Sequence, residues 1–247
     1  MPTVSRDIEG TVAFVTGGGS GIGAAVCCAL GGAGLSVAII DVNPQAASRT
    51  LARMQAGRGL NCAVTADVSQ AADAARAVAA ASAEIGEPDY LINCAGIYPR
   101  SAVAEMDEAE WDRVINTNLK SVFLMSRAVV PLMAAKGGGR ILSITSGLGQ
   151  TGSARGAHYA ASKAGITAFT RSLALEVAPQ RIRVNCVAPG LTDTPMMRGA
   201  NDSGYVESMA ARQFGGRLGQ PQEVARVVLF LLSDDAAMIS GQVITLR

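Results

Sequence analysis

Aromatic residues are scarce. They make up 4% of the 247 residues, too few for the stacking platforms on which proteins hold single-stranded nucleic acid. Charge is nearly balanced, 21 Lys and Arg against 20 Asp and Glu, and no block of like charges occurs. Neither a basic nucleic-acid arm nor a polybasic membrane patch is expected. Histidine occurs once, as His158, and the five cysteines (Cys27, Cys28, Cys62, Cys94, Cys186) form no CxxC pair. Such a set predicts no metal site. An odd number of thiols without a framework spacing suits a reducing compartment, so a cytoplasmic protein is expected. Two catalytic strings are missing as well, the GxSxG elbow and the GxxxxGK[ST] phosphate loop.

A membrane helix is excluded on similar grounds. The run Thr11 to Ile40 carries no charge, yet eight glycines interrupt it, three of them consecutive. It reads as strand, loop, helix and strand. The first ten residues include Asp7 and Glu9 and have no apolar core, so no signal peptide is expected. What is plentiful is apolar side chain, 49% of the chain, and glycine, 28 residues against 9 Pro. The first suffices for a large core, and the second implies tight turns and close backbone approaches.

Apolar runs of strand length recur at 11–15, 35–40, 60–64, 89–92, 139–144, 182–187 and 242–246. Helical stretches separate them, at 21–32, 44–57, 69–86, 107–136, 157–178 and 220–233. Strands buried on both faces read as continuous apolar runs, and regular alternation with helices implies a parallel sheet. The pattern predicts an α/β fold: a single-domain, Rossmann-type, doubly wound parallel sheet of about seven strands over residues 1–247. The least regular segment, 189–217, reads as a lid or substrate loop.

The string Thr16-Gly17-Gly18-Gly19-Ser20-Gly21-Ile22-Gly23 follows the first strand and opens the first helix. Glycines there let backbone amides approach a pyrophosphate, and the helix N-terminus offers partial positive charge. The second strand ends in Asp41, 18 residues beyond Gly23. An acid near that spacing accepts hydrogen bonds from adenosine ribose hydroxyls. Its carboxylate would repel a 2′-phosphate, and no Lys or Arg lies in 17–23, so NAD is favoured over NADP.

The spacing Thr-Gly-x-x-x-Gly-x-Gly resembles that of the short-chain dehydrogenase/reductase superfamily, in its group of roughly 250-residue oxidoreductases. The resemblance extends over nearly the whole chain. It implies that Gly17, Ser20, Gly21, Ile22 and Gly23 hold the pyrophosphate end, and that Asp67-Val68 contacts the adenine. Asn93-Cys94-Ala95-Gly96 is similar to the family's Asn-Asn-Ala-Gly motif, which assigns Asn93, Ala95 and Gly96 to the cofactor. Pro189-Gly190 with Thr192 and Thr194 resembles the segment that holds the nicotinamide carboxamide.

Tyr159 and Lys163 stand four apart, on one face of a helix. Ser146 precedes Tyr159 by 13 residues and follows the strand 139–144. By resemblance these three and Asn118 are the catalytic set. Reduction of a ketone creates an alkoxide that needs a proton, and the reverse oxidation needs a base. A free tyrosine, with a pKa near 10, is a poor base at neutrality. Lys163, together with the positive nicotinamide ring of the oxidised cofactor, is therefore expected to lower Tyr159 by favouring phenolate, and Lys163 also to hold the nicotinamide ribose. Ser146 would donate a hydrogen bond to the substrate oxygen. Asn118 lies in the poorly helix-forming run Asn116-Thr117-Asn118, where the resemblance implies a local distortion that frees a backbone carbonyl. His158, next to Tyr159, points about 100° away from it and is expected at a pocket rim or an interface.

By position in the family, Tyr98, Ser146, Leu148, Gln150, Met196, Met197 and Tyr205 should line the substrate pocket. A medium-sized, largely apolar secondary alcohol or ketone fits such a lining. Two other readings stay open. A 3-oxoacyl carrier-protein reductase would generally use NADPH, which Asp41 opposes, and Lys136 and Arg181 would receive its acidic carrier. A dinucleotide-sensing protein without turnover would have no need of Ser146, Tyr159 and Lys163. A homotetramer is expected from the resemblance and from the apolar residues Val122, Phe123, Met125, Val129, Val130, Leu132 and Met133. The match departs at Val243-Ile244-Thr245-Leu246-Arg247, where the family's last strand usually runs into an Asp-Gly-Gly tail. A dimer is the alternative where the contacts of that tail are lacking.

Overall fold

Seven strands form the core of the fold: β1 (Val12–Thr16), β2 (Ser36–Asp41), β3 (Asn61–Thr65), β4 (Tyr90–Asn93), β5 (Gly139–Ile144), β6 (Ile182–Ala188) and β7 (Val243–Thr245). They make one parallel sheet in the order β3-β2-β1-β4-β5-β6-β7. The computed structural model describes residues 11–54, 59–199 and 203–246. Among the described residues, ten α-helices connect the strands: α1 (Gly21–Gly32), α2 (Pro44–Arg53), α3 (Ala71–Ile85), α4 (Glu108–Ile115), α5 (Ser121–Ala135), α6 (Leu148–Thr151), α7 (Ala157–Glu176), α8 (Pro195–Gly199), α9 (Ser203–Ala210) and α10 (Pro221–Leu232).

Successive residues of each strand point to opposite faces, and both faces are covered. Phe14, Ala38, Ile40 and Leu91 pack with α3, α5 and α7. Val15, Val37, Ile39 and Ile92 pack with α1, α2 and α10. No strand in the middle of the sheet has a solvent side, which is why the sequence shows apolar runs and not alternation. The chain steps outward from β1 to β3, then returns to lay β4 beside β1. The loops leaving β1 and β4 therefore diverge and open a crevice at the strands' C-terminal ends.

The stretch 107–136 carries the local distortion that the resemblance implied: α4 gives way to a π-helical turn at Asn116–Lys120 before α5 resumes. The polar side chains there bond elsewhere, Ser121 Oγ donating to the Thr117 carbonyl at 2.6 Å and Asn118 Nδ2 to the Ile97 carbonyl at 3.0 Å. The segment 189–217 is more regular than expected, since it contains α8, α9 and a 3-10 turn at Phe214–Gly216. The apolar face assigned to 107–136 is largely spent within the protomer. Val122, Met125, Val129 and Met133 are buried, because α5 packs on both the sheet and α3, and of the seven residues named only Phe123 is exposed. The helix expected over 44–57 ends at Arg53, and 55–58 lie outside the described residues.

Candidate active site

A cavity of about 330 Å³ opens at the C-terminal ends of β1, β2 and β4. Gly17, Ser20, Gly21, Ile22, Gly23, Asp41, Asp67, Val68, Ala95, Gly96, Pro189, Gly190, Thr192 and Thr194 line it, together with Tyr159 and Lys163. The glycine turn is shaped by crowding. A Cβ on Gly17 would stand 2.8 Å from the Ala95 backbone, at a φ of +64°, and one on Gly23 would stand 2.1 Å from the Gly17 carbonyl oxygen. Thr16 Oγ1 accepts the N–H groups of Cys94 (3.2 Å) and Ala95 (3.3 Å), which ties β1 to the loop after β4. No acid occupies the first turn of α1, so its N-terminal N–H groups remain suited to an anionic ligand.

Asp41 is held by two backbone donors. Its Oδ2 accepts from Gly19 N–H at 2.8 Å and its Oδ1 from Asn43 N–H at 2.9 Å. This places a fixed negative charge beside the turn, where the sequence expected a ribose-binding acid. Asp67 accepts from the Ser69 N–H (3.0 Å) and hydroxyl (2.7 Å) further along the same wall. The glycine cradle, the fixed carboxylate and the helix N-terminus fit a dinucleotide.

At the other end of the cavity stand Ser146, Tyr159 and Lys163. Ser146 follows β5, and its Oγ accepts the Leu148 N–H at 3.2 Å. Tyr159 and Lys163 both project from α7, which begins at Ala157 and carries them on one face. Ser146 lies close enough to the Tyr159 phenol to favour its ionised form, and Lys163 Nζ lies 5.5 Å from the Tyr159 ring centroid. Lys163 is buried and donates to the Ile144 carbonyl at 2.8 Å. Burial opposes both charges. It pushes the Tyr159 phenol up to about 12, against the pull of Ser146, and the Lys163 ammonium down to about 8. The expected lowering of Tyr159 included the positive nicotinamide ring, and the protein groups alone do not supply it. An ammonium that loses its proton near 8 is neutral before a phenol near 12 ionises.

Among the residues expected to line the substrate pocket, Tyr98, Leu148, Met196 and Met197 share the cavity with Ser146. The Tyr98 ring lies 4.3 Å from that of Tyr159, and its hydroxyl is 2.7 Å from Ser153 Oγ. Gln150 is exposed on α6 and does not line the cavity. The side chain of Tyr205 lies outside what the structure describes. Asn93 does not line the cavity either, because its amide donates to Ser143 Oγ at 3.3 Å and links β4 to β5. Asn118 is buried with its side chain clamping the Ile97 backbone, accepting at 2.8 Å and donating at 3.0 Å. Thr117 stands beside it on the cavity wall and was not expected there. Cys94, Ile97, Thr145 and Leu191 were also missed, and their only signal is adjacency to motif residues. Thr145 Oγ1 donates to the Lys163 carbonyl at 2.7 Å, tying β5 to α7.

Comparison with known proteins settles the ancestry. The family model for enoyl-(acyl carrier protein) reductase matches residues 17–246. The 3-oxoacyl-[acyl-carrier-protein] reductase of Escherichia coli K12 is 41% identical over 239 residues, 96% of this chain and 95% of the relative. The chain belongs to the short-chain dehydrogenase/reductase family. As such it is an oxidoreductase acting on hydroxyl and keto groups. Another family member, the cis-4-hydroxycyclohexanecarboxylate dehydrogenase of Sinomonas cyclohexanicum, is 41% identical over 234 residues, covering 94% of this chain and 93% of the relative. Among solved structures, 7α-hydroxysteroid dehydrogenase with NADH and 7-oxoglycochenodeoxycholic acid superposes with a TM-score of 0.94 at 32% identity, covering 100% of this chain and 96% of that one. Among the described residues, no helix is long and apolar enough to cross a membrane.

Proposed function

We propose that the protein is an NAD-dependent dehydrogenase/reductase that interconverts a secondary alcohol and a ketone, with Tyr159 as general acid and base. The observation that carries the reading is that Ser146, Tyr159 and Lys163, the last one helical turn on from the tyrosine, share a cavity with the Asp41-pinned glycine turn. The bound nicotinamide would supply the hydride acceptor or donor. Tyr159 exchanges the proton with the substrate oxygen, and Ser146 donates a hydrogen bond to that oxygen as charge develops. Lys163 holds the nicotinamide ribose and keeps positive charge near the phenol. Asp41 accepts the adenosine ribose hydroxyls and repels a 2′-phosphate, with no basic residue in 17–23 to offset it. Tyr98, Leu148, Met196 and Met197 present a mainly apolar wall to the substrate.

A 3-oxoacyl thioester reductase is the second reading, supported by relatives named 3-oxoacyl-[acyl-carrier-protein] reductase and acetoacetyl-CoA reductase. The two separate in one experiment. A panel of secondary alcohols that includes cis-4-hydroxycyclohexanecarboxylate is offered with NAD and with NADP, and acetoacetyl-CoA with NADH and with NADPH. NADH formation from an alcohol at higher kcat/KM than any NADPH-dependent reduction supports the first reading. Preferred reduction of acetoacetyl-CoA by NADPH overturns it. We also propose a homotetramer, supported by the exposed apolar residues Trp111, Phe123 and Leu175 on α4, α5 and α7, and a cytoplasmic location, supported by five free cysteines.

A further inference from the structure

Helix α7 carries the proposed catalytic pair on one face and a second pair on the next. His158 and Ser162 are also four residues apart, each one position before Tyr159 and Lys163 and so about 100° round the helix. Both are fully buried, and both are bonded to the segment packed behind them. Asn118 Nδ2, from the π turn, donates to Ser162 Oγ at 3.1 Å. His158 Nε2 lies 3.2 Å from Glu110 Oε1 on α4, and His158 Nδ1 accepts the backbone N–H of Tyr159 at 2.9 Å.

A ring nitrogen that accepts an N–H carries no proton. The imidazole proton therefore sits on Nε2, facing the Glu110 carboxylate, and the two bonds together fix both tautomer and ring orientation. The Tyr159 N–H is one of the four at a helix N-terminus that have no acceptor within the helix. Gly156 at the N-cap has no side chain to offer, and the first intrahelical bond comes one residue later, from Ala160 N–H to the Gly156 carbonyl at 2.9 Å. His158 supplies the acceptor that this cap lacks, and supplies it to the residue whose phenol reaches the cavity. Glu110 is itself anchored in the first turn of α4, where the N-cap Asp107 accepts its N–H at 2.6 Å.

We propose that His158, oriented by Glu110, is a positioning residue that fixes the Tyr159 backbone and thereby the place of its phenol beside Ser146. The proposal rests on Tyr159 being the proton carrier. His158 itself touches neither the cavity nor the reacting atoms, since both its nitrogens are engaged on the far side of α7. A misplacement of about 1 Å at a reacting group can lower turnover about 10²-fold.

The test compares His158→Ala, His158→Phe and His158→Asn with Tyr159→Phe, using NAD and the fastest alcohol of the panel. The Asn side chain offers Oδ1 where Nδ1 stood, whereas Phe fills the volume without an acceptor. The alanine and phenylalanine variants should lose about 10- to 100-fold in kcat per NADH-binding site, with NADH affinity within about twofold of wild type. Hydrogen exchange at the Tyr159 amide should speed up in both, and Asn should restore most of the protection and of kcat. The positioning role is overturned if Phe rescues and Asn does not, if kcat and NADH affinity fall together, or if His158→Ala keeps wild-type kcat while Tyr159→Phe is inactive. In that last case the reading of Tyr159 survives. Wild-type turnover by Tyr159→Phe would bring both down.

Discussion

Replacing Lys163 by methionine separates the help its ammonium gives the phenolate from the cost of burying it, because the structure gives each a magnitude. A full positive charge 5.5 Å from the Tyr159 ring, at an effective dielectric of about 20, favours phenolate by about 3 kcal/mol, or about two pH units. The chain's own burial holds the phenol at about 12 and the ammonium at about 8, so Lys163 helps only where its ligands keep it charged. With NAD saturating, alcohol oxidation by the wild type should rise with pH to a midpoint well below 12. In Lys163→Met the midpoint should move up by about two pH units, and the rate at pH 8 should fall about 100-fold. Stability should change in the opposite direction. At pH 7 folded and unfolded chains both carry the ammonium, and the folded chain bears the burial penalty of a pKa depressed from 10.5 to about 8, on the order of 3 kcal/mol. Lys163→Met should therefore unfold at a higher temperature near neutral pH. Its advantage should fade as pH rises from about 8 to 10.5, where the unfolded wild type holds a proton that the folded form has shed. Stopped-flow NADH absorbance gives the first profile and calorimetry the second. A midpoint that does not move would refute the electrostatic role, and a variant no more stable than wild type at pH 7 would refute the burial argument.

Tyr159→Phe should lower turnover by at least ~10²–10⁴, with NAD affinity nearly unchanged by fluorescence titration. Loss of NAD binding instead would make the tyrosine structural. Asp41→Ala should weaken NAD more than NADP, narrowing the ratio of their kcat/KM values, and a wild type that prefers NADP would refute the assignment. Light scattering at micromolar concentration should give a tetramer mass, and Phe123→Glu should shift it toward smaller species. A monomeric wild type would end the oligomer proposal.

All seven strands were legible in the sequence, each to within about a residue at its start, because burial on both faces leaves an uninterrupted apolar run. The glycine turn and Asp41 were legible because their chemistry depends on residue type at a fixed spacing. Tyr159, Lys163 and Ser146 were reached the same way, with the family resemblance assigning their roles. Residues whose place depends on packing were harder. Asn93 has a cofactor-like position in the motif, yet its amide binds Ser143, a choice made by a neighbour distant in sequence. The π turn could be suspected from Asn116-Thr117-Asn118, but its extent depends on a hydrogen bond from Ser121. The surplus apolar face on α5 was overestimated because periodicity cannot say how many layers a helix touches. The sign of the Tyr159 and Lys163 shifts is likewise a property of the folded surroundings.

The two backbone bonds to Asp41 reach beyond recognition. The carboxylate proposed to hold the ribose also closes the glycine turn through Gly19 and braces the start of α2 through Asn43. On the proposed reading of Asp41, selectivity and loop shape are therefore written in the same two oxygens. A single replacement aimed at a phosphorylated cofactor removes a repulsion and at the same moment loosens the turn that every dinucleotide needs. An engineer, or a diverging lineage, must restore the acceptor for Gly19 while adding a cation. The shortest route between the two cofactors then runs through at least two linked changes, with a poor binder of both in between.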